Sequence, residues 1–397
     1  MILGGGISGL YSAYTLLQQN PVMKIVILEK SDRWGGRIAT DKRLNVEAGA
    51  ARFNREHQHL IQLMRDLNIT NLVPIPEGMK IAESPDTSIQ SLLWKLGVFN
   101  TLDFTHDLTK YTMEEYIQLV LSEKEVEQLK DSVGYYAEIV VMNAKDAIHL
   151  LRHMNQPFYR LEKGLSQIID ELVKRLQMYP SCILKLNEEI LSVKKQKTGP
   201  TMNYLIKTQN QVYSAPWCIC TLEKNVVQKF SLGIHHLNYL TNGPLCRIFC
   251  TFREPWYKEI PKYTSKTPLR IIIPHDTCLQ VSYSDHKYAL FWHQVYATYG
   301  VPGVNRALRH FFKEALHMDL PEPLTTHVHY WDYGVAYWTK NAKSDELSKY
   351  FQEPIPQFYL CSDAYSSEFQ QWMEGGLELS AEACRRIMVK YEEPTLP

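Results

Sequence analysis

The chain of 397 residues is long enough for two domains that each bury a hydrophobic core. Its 43 basic and 43 acidic side chains balance to a net charge of zero, which excludes a general electrostatic basis for binding nucleic acid or an anionic membrane. With 45% hydrophobic and 22% charged residues, the composition is that of an ordinary folded protein.

The sequence also predicts where the protein resides. No run approaches the roughly 20 apolar residues that span a bilayer, and a glycine turn interrupts the N-terminus where a signal peptide needs an apolar segment. The eight cysteines lie mostly in apolar runs such as WCICT, which predicts buried, reduced thiols. We therefore expect a cytoplasmic protein without a membrane partner.

The first 30 residues predict a β-α-β unit. Residues 2–3 form the stub of a strand, residues 7–19 place apolar side chains at helical spacing, and residues 24–28 (KIVIL) form a second strand. Gly4, Gly6 and Gly9 give the pattern G-x-G-x-x-G between the first strand and the helix. This arrangement is typical of a dinucleotide site.

The glycines and the helix predict how a pyrophosphate is held. The first glycine permits the tight turn, the second lets the backbone approach the ligand, and the third lets helix and strand pack closely. The pyrophosphate would lie at the helix N-terminus, at Ile7 and Ser8, where free N–H groups favour anions. Glu29 ends the second strand and would accept hydrogen bonds from ribose hydroxyls, which argues against NADP. NAD and FAD remain open on this evidence.

The remaining elements change in kind along the chain. Helices are predicted over 56–68, over most of 112–154 with capping boxes at Thr112–Glu115 and Ser122–Glu125, and over 165–176. Strands follow at 190–194, 204–208 and 211–213 around turns at 199–200 and 209–210, then at 217–222, repeatedly within 245–300, and at 358–361. Two further helices are predicted at 305–316 and 373–390.

Because β-α-β character appears only at the two ends, we predict an α/β fold with two interleaved domains. A Rossmann-like nucleotide-binding domain would comprise residues 1–76, 157–234 and 333–397. An α+β substrate domain would comprise residues 77–156 and 235–332, with a helical segment and a mixed sheet.

A family resemblance decides between NAD and FAD. The stretch LEKSDRWGGRIAT (28–40) resembles the L-E-x-x-x-R-x-G-G-R motif of flavin-containing amine oxidases, which include monoamine oxidases, polyamine oxidases, lysine-specific histone demethylases and L-amino-acid oxidases. Residues 359–387, with SDAY and MEGG, are similar to the last segment of that family. FYRLEKGLSQIIDEL (158–172) and EEILSV (188–193) also match, in the order of the family.

The resemblance implies FAD as the cofactor. It places Arg37 at the pyrophosphate, the backbone of Ile190 at the adenine, Asp363 at the ribityl hydroxyls and the helix from Met373 at the flavin pyrimidine ring. Ala336 stands where monoamine oxidases have the cysteine that binds flavin covalently, so we expect non-covalent FAD. The full set of implied FAD contacts is Gly4, Gly6, Ile7, Ser8, Gly9, Glu29, Lys30, Gly36, Arg37, Ala51, Arg52, Ile190, Asp363 and Met373.

The resemblance also implies the chemistry. An enzyme of this family moves a hydride from the carbon beside an amine nitrogen to flavin N5, and O2 then reoxidises the flavin and yields H2O2. Tyr337 and Trp372 match a pair of aromatic residues that face the flavin and form a slot for the amine. Arg247 stands where the family has a lysine near N5, and its guanidinium cannot lose a proton.

The substrate class stays open between amines and L-amino acids. In L-amino-acid oxidases, an arginine in a stretch similar to EAGAAR (47–52) pairs with the substrate carboxylate, and Arg52 occupies that position. The tyrosine that would assist it near 270–274 is missing, and Gln371 stands where a glycine would suit a substrate-binding backbone. These departures weaken the amino-acid interpretation and leave polyamines, other amines or peptide-borne lysines open.

Two other functions compete with the oxidase. An NAD-dependent dehydrogenase would leave the C-terminal motifs unexplained, and an FAD-binding interaction protein with weak or no catalysis is compatible with Arg247 and with the short first strand. The histidines at 235, 236, 327 and 329 lack acids or cysteines at ligand spacing, so no metal is predicted.

Overall fold

The chain folds into alternating helices and strands, described in a computed structural model over residues 1–83, 93, 95–96, 107–154, 156–198 and 201–392. The α-helices of this part, α1 to α11 in chain order, are Ile7–Gln19, Gln58–Asp66, Met113–Val120, Glu123–Ser132, Tyr136–Val140, Ala144–His153, Ser166–Leu176, Lys224–Lys229, His286–Leu316, Ser344–Phe351 and Met373–Glu392. The strands, β1 to β18, are Ile2–Leu3, Ile25–Leu28, Thr40–Asp41, Val46–Glu47, Leu72–Pro74, Lys80–Ile81, Tyr159–Leu161, Cys182–Lys185, Ile190–Thr198, Thr201–Thr208, Val212–Ala215, Cys218–Cys220, Leu240–Thr251, Tyr263–Thr264, Ile271–Pro274, Leu279–Asp285, Thr325–Trp338 and Phe358–Leu360. Short 3-10 helices occupy Leu108–Lys110, Leu237–Tyr239, Trp256–Glu259 and Asp363–Tyr365.

The predicted N-terminal β-α-β unit forms the middle of a five-stranded sheet. The strands occur in the order β18-β12-β1-β2-β8, and every neighbouring pair is parallel. The two-residue strand β1 therefore pairs on both sides. Because parallel strands all end at the same edge, the loops after β1, β2, β12 and β18 meet there, and this edge is where α/β sheets bind ligands.

Small side chains let α11 lie directly against α1. A Cβ atom on Gly376 would come within 2.3 Å of the Ser8 hydroxyl oxygen, so only glycine permits this approach. The Ser380 hydroxyl donates a hydrogen bond of 3.2 Å to the carbonyl oxygen of Ser8. This packing places the N-termini of the two helices side by side at the carboxyl edge of the parallel sheet.

The predicted antiparallel strands form a separate three-stranded sheet in the order β11-β10-β9. The predicted turn at residues 199–200 lies outside the described residues. Ile190 begins β9 directly after the acidic pair at 188 and 189, on the side that faces the parallel sheet edge.

A separate sheet contains six strands in the order β17-β13-β16-β15-β14-β6. Its longest pairing joins β13 to β17 in antiparallel register from Leu240 opposite Trp338 to Thr251 opposite Thr325. The sequence did not predict β17, and this strand runs without interruption through the proposed domain boundary between residues 332 and 333. The domain division remains a prediction.

Helices α3 to α6 form the predicted helical segment. Both predicted capping boxes are present, because the hydroxyls of Thr112 and Ser122 accept from the N–H groups of Glu115 and Glu125, whose side chains accept in return. The core of this layer also includes Tyr337 and Trp372, which come from distant parts of the chain. The helical layer thus packs against both predicted aromatic site residues.

The several strands predicted within 245–300 are present but end at Asp285, and residues 286–300 belong to helix α9 (His286–Leu316), which the sequence predicted only from residue 305. The run is rich in aromatic and β-branched residues, which favour strands. Its buried residues Ala289 and Trp292 are one helical turn apart and pack on the six-stranded sheet, and this packing overrides propensity. Gly300, with φ 60° and ψ −162°, interrupts the helix. No described helix, α9 included, combines the length and apolar character that crossing a bilayer requires.

The eight cysteines are all free, and seven of them are buried, as predicted. Burial raises the pKa of the half-buried Cys182 thiol to about 11 and that of the buried Cys218 thiol to about 12. At neutral pH these sulfur atoms therefore keep their protons.

Candidate functional site

One cavity of about 1460 Å³ extends from the carboxyl edge of the parallel sheet to the six-stranded sheet. It exceeds the roughly 300–1,000 Å³ that is typical of a pocket for one small ligand. Its wall includes every predicted site residue except Gly9, namely Gly4, Gly6, Ile7, Ser8, Glu29, Lys30, Gly36, Arg37, Ala51, Arg52, Ile190, Arg247, Tyr337, Asp363, Trp372 and Met373. We call the part at Gly6 and Glu29 the nucleotide end, and the part at Arg247 and Trp372 the substrate end.

The nucleotide end suits a pyrophosphate. A Cβ atom built on Gly6 would meet nothing within 4 Å, so the space beside this backbone is open cavity. Gly6 caps helix α1 without a side-chain hydrogen bond, which leaves the first N–H groups of the helix for an anion. Gly36 has a φ of 55°, and a Cβ there would lie 3.3 Å from the Cα of Gly6, so the two glycine loops meet. These residues fit the expected FAD.

Gly9 has a packing role behind this loop. A Cβ atom at Gly9 would lie 2.1 Å from the carbonyl oxygen of Gly4, which no real side chain tolerates. The glycine therefore lets α1 approach β1, as the third position of the motif predicts. Its contribution to the ligand is indirect.

Glu29 is held in a fixed orientation at the end of β2. One carboxylate oxygen accepts the N–H of Gly5 at 2.8 Å, and the other accepts the N–H of Ser31 at 3.0 Å and its hydroxyl at 2.8 Å. Each carboxylate oxygen has two lone pairs, so acceptor capacity remains for hydroxyl donors in the cavity. This geometry agrees with the predicted ribose contact.

Arg37 and Asp363 form an ion pair on the cavity wall. A second guanidinium nitrogen lies 3.2 Å from the other carboxylate oxygen of Asp363 and donates at 3.1 Å to the carbonyl of Gly334. The family resemblance predicts that these two residues contact adjacent parts of the cofactor, Arg37 the pyrophosphate and Asp363 the ribityl chain. Their contact is compatible with that prediction, in which both residues would lie near the point where those parts join.

Glu223 was missed in the sequence. It follows β12 and lines the nucleotide end, and burial raises the pKa of its carboxyl to about 7. The signal was available, because β12 ends at the same sheet edge as β2 and its following residues therefore reach the same ligand space.

Arg247 lies on β13, an interior strand of the six-stranded sheet, at the substrate end. It is 8% exposed, donates at 2.8 Å to the carbonyl of Glu47, and places its guanidinium carbon 4.0 Å from the ring centre of Tyr283. Tyr283 is its register partner on β16 and also lines the cavity. The sequence did not identify Tyr283, because the pairing of β13 with β16 is not visible in the sequence.

Trp372 and Tyr337 both lie on the wall of the substrate end. The Trp372 ring stacks on Phe158 with ring centres 5.4 Å apart and planes at 14°, and it lies 5.1 Å from the ring of His57. Phe158 and His57 were not predicted. The aromatic slot between Tyr337 and Trp372 stays a prediction that this placement permits.

Arg52 joins the same group of aromatic side chains. Its guanidinium carbon lies 4.4 Å from the ring centre of Phe158 and 5.7 Å from that of Trp372. One nitrogen donates to the hydroxyl of Tyr135 at 3.3 Å. The tyrosine hydroxyl beside Arg52 therefore belongs to the segment between α4 and α5, and not to residues 270–274 where the sequence lacked one.

Glu138 is a buried acid at the substrate end that no sequence motif indicated. Among the described residues, its Oε2 atom has no hydrogen-bond partner, and burial followed by the charge of Asp285 raises the pKa of its carboxyl to about 8. Burial, Asp285 and Glu138 in turn raise the pKa of Tyr337, so these three groups are neighbours. At neutral pH Glu138 holds a proton.

The raised pKa of Glu138 predicts a pH dependence of stability. Between its ordinary value of 4.5 and about 8, the folded state binds a proton that the unfolded state has released, so stability falls as pH rises through this window. In thermal melts, the Glu138→Gln variant is expected to lose less melting temperature than the wild type between about pH 5 and 8.5. The exposed control Glu254→Gln should follow the wild type, and identical pH profiles for all three proteins would contradict the assignment.

Comparisons with known proteins agree with this arrangement. A family model for flavin-containing amine oxidoreductases matches residues 7–95 and 106–388. No curated protein sequence matches the chain.

Several solved structures are similar over nearly the whole chain. Putrescine oxidase with bound putrescine has a TM-score of 0.73, 14% identity and 98% coverage of both chains. Cyclohexylamine oxidase from Brevibacterium oxydans IH-35A gives 0.74, 13% and 99% of both chains, and a proposed protoporphyrinogen oxidase from Exiguobacterium sp. 255-15 gives 0.71, 17% and 98%. At these identities the likeness concerns the fold, and it confirms the predicted Rossmann-like and substrate-domain architecture.

Proposed function

The chain belongs to the flavin-containing amine oxidoreductase family, and on that premise we propose that it oxidises the carbon–nitrogen bond of a small amine with O2 as the final electron acceptor. Its cofactor is FAD, and it is a flavin-dependent amine oxidase by family. The proposal depends on one observation. The same cavity contains the nucleotide end, whose residues fit FAD, and the side chains of Arg247, Tyr337 and Trp372.

The overall reaction balances with one amine and one O2 giving one imine and one H2O2. The amine loses two electrons and two hydrogens, one from carbon and one from nitrogen, and O2 gains them. Water then hydrolyses the imine. FAD, when bound, supplies the two-electron acceptor between amine and O2.

The protein contributes orientation and exclusion of water at the substrate end. The faces of Tyr337 and Trp372 attract a polarised amine and restrict its angle of approach. Leu150, Met154 and Ile271 line the same wall and exclude water. Arg247 keeps a fixed positive charge in the cavity, which favours negative charge that develops nearby.

Glu138 favours an amine over an L-amino acid as the substrate. A buried carboxyl with an unpaired oxygen can accept a hydrogen bond from an amino group, either the reacting nitrogen or a second one in a diamine. Arg52 favours the second candidate, an L-amino acid, because a guanidinium at the substrate end can pair with a carboxylate. Arg52 is already packed on Phe158 and bonded to Tyr135, so we place the amine first.

The visible spectrum of the FAD-loaded protein tests the proposal. Under anaerobic conditions, mono-amines and diamines are expected to bleach the yellow band, and admitted air should restore it with one H2O2 per amine. Bleaching by L-amino acids alone would favour the second candidate. A band that no amine or amino acid bleaches would favour the FAD-binding interaction protein.

Substitution of Arg247 distinguishes the reduction of FAD by the amine from its reoxidation by O2. Lysine keeps the charge but can lose a proton and presents a compact ammonium, so we expect Arg247→Lys to raise the rate of reaction with O2 roughly tenfold, about 1.4 kcal/mol in barrier height. The rate of anaerobic bleaching should change less. Stopped-flow absorbance measures both rates, with the exposed Arg253→Lys as control. An unchanged rate with O2 would contradict this role for Arg247.

A further inference from the structure

A group of side chains of the types that bind metal ions lies on the surface beside the substrate end. His149 and His153 are one turn apart on helix α6, and Glu368 approaches them from the segment that precedes Trp372. One ligand atom from each of the three residues lies within 4.8 Å of the others. These residues come from two distant parts of the chain, and nothing in the proposed oxidase uses them.

The distances match tetrahedral metal coordination. The Nε2 atoms of His149 and His153 are 3.1 Å apart, and Nε2 of His149 lies 3.3 Å from Oε2 of Glu368. Ligand atoms bound at 2.0–2.1 Å around a tetrahedral zinc ion are separated by about 3.4 Å. A metal ion between these atoms would replace the contact of 3.1 Å between Nε2 of His149 and the backbone carbonyl oxygen of Glu368, and the third pair, His153 and Glu368, would close from within 4.8 Å.

A fourth residue fixes His153 in the form that a metal requires. Nδ1 of His153 lies 2.6 Å from a carboxylate oxygen of Glu56. A carboxylate can only accept, so Nδ1 of His153 is the donor, and in the neutral imidazole Nε2 then presents its lone pair toward His149. Carboxylates commonly orient metal-bound histidines in this way.

We propose that His149, His153 and Glu368 bind one divalent transition-metal ion of the zinc class, with Glu56 orienting His153. Two imidazoles and a carboxylate suit zinc, cobalt or nickel, and three protein ligands leave a fourth position for water. The histidine pairs considered from the sequence did not include this one, because Glu368 and Glu56 are more than 200 residues and about 100 residues away from it in the chain.

The ion would connect helix α6 with the segment that leads to Trp372. Phe369, next to the ligand Glu368, contacts the ring of His153 at 5.1 Å and that of His57 at 5.7 Å, and His57 contacts Trp372. Binding in the folded state alone would stabilise the protein. The site would therefore brace one wall of the cavity from outside.

Calorimetric titration of the FAD-loaded, tag-free and chelator-treated protein with Zn²⁺ tests the site. We expect one ion per chain with a dissociation constant of about 10 µM or tighter. His149→Asn and His153→Asn should abolish this binding, and Glu56→Gln should weaken it by roughly 10–100-fold. Glu368 is exposed, so we expect Glu368→Gln to fold, and this variant should weaken binding at least roughly tenfold.

A matched control is His310→Asn, because His310 also lies one turn from an acid, Glu314, on an exposed helix face. This variant should bind Zn²⁺ like the wild type. Co²⁺ in place of Zn²⁺ should give the intense visible absorption of tetrahedral cobalt, and Zn²⁺ should raise the melting temperature of the wild type but not of His153→Asn. The proposal fails if the wild type binds no ion in this range, or if the His149, His153 and Glu368 variants bind as tightly as the wild type. None of these readouts depends on oxidase activity.

Discussion

Replacing Gly6 by leucine is expected to give a folded protein that no longer retains FAD. A Cβ atom at this position meets no protein atom within 4 Å, and the backbone of Gly6 has φ −72° and ψ 178°, which every residue can adopt. The leucine side chain would instead occupy the space at the start of α1 where the pyrophosphate is expected. It would separate the phosphates from the helix N–H groups, each of which contributes a charge-assisted hydrogen bond.

We expect FAD affinity to fall at least roughly hundredfold, about 2.7 kcal/mol, while the melting temperature of the protein without FAD stays near that of the wild type. Absorbance of the purified protein and titration with FAD measure the first quantity, and circular dichroism measures the second. The FAD affinity of Gly6→Ala should lie between those of the wild type and Gly6→Leu, because a methyl group fills less of the space than a leucine side chain. A Gly6→Leu protein that remains yellow at full occupancy would show that the pyrophosphate lies elsewhere.

Replacing Trp372 by alanine is expected to leave FAD in place and to slow substrate oxidation. The ring lies at the substrate end, stacked on Phe158 and close to the guanidinium of Arg52, whereas the glycine loops hold the opposite end of the cavity. Without the ring the amine can adopt many orientations, and a small loss of alignment costs about 10²-fold in rate. We therefore expect anaerobic bleaching to slow about hundredfold with normal FAD content.

Trp372→Phe provides the matched comparison, because it preserves an aromatic face against Phe158. It should retain most of the rate, whereas the alanine variant should not. If Trp372 only fills the core, the alanine variant will lose melting temperature and keep its bleaching rate, and the aromatic slot is then wrong. This prediction depends on the proposed oxidase activity, whereas the Gly6 prediction concerns FAD binding alone.

The nucleotide end was predictable because its information is local. Gly4, Gly6 and Gly9 lie within six residues, and Glu29 lies one strand further on, so the motif specifies its own geometry. Helix α1 accordingly begins and ends at the predicted residues, Ile7 and Gln19. Glu223 was missed, because recognising it required knowing that β12 lies next to β1 in the sheet.

The substrate end was only partly predictable because its residues come from many elements. Arg52, Arg247 and Trp372 were selected by family motifs, and each lies on the cavity wall. Their contacts with Phe158 and Tyr283 depend on strand register and on the docking of separate layers, which no local pattern encodes. The same limit explains why the first part of helix α9 was not predicted. Its composition is compatible with a strand or a helix, and packing against the six-stranded sheet favours the helix.

Burial of the thiols limits how readily H2O2, the product of the proposed reaction, could oxidise them. Peroxide attacks cysteine as the thiolate, and exposure limits which sulfurs it reaches. Burial raises the pKa of Cys246, Cys250 and Cys384 to about 12, and that of Cys278, near the cavity residue Thr277, to about 11. If the protein releases H2O2 as proposed, these buried thiols would stay protonated and shielded from it, so their oxidation should not limit the number of turnovers before self-inactivation.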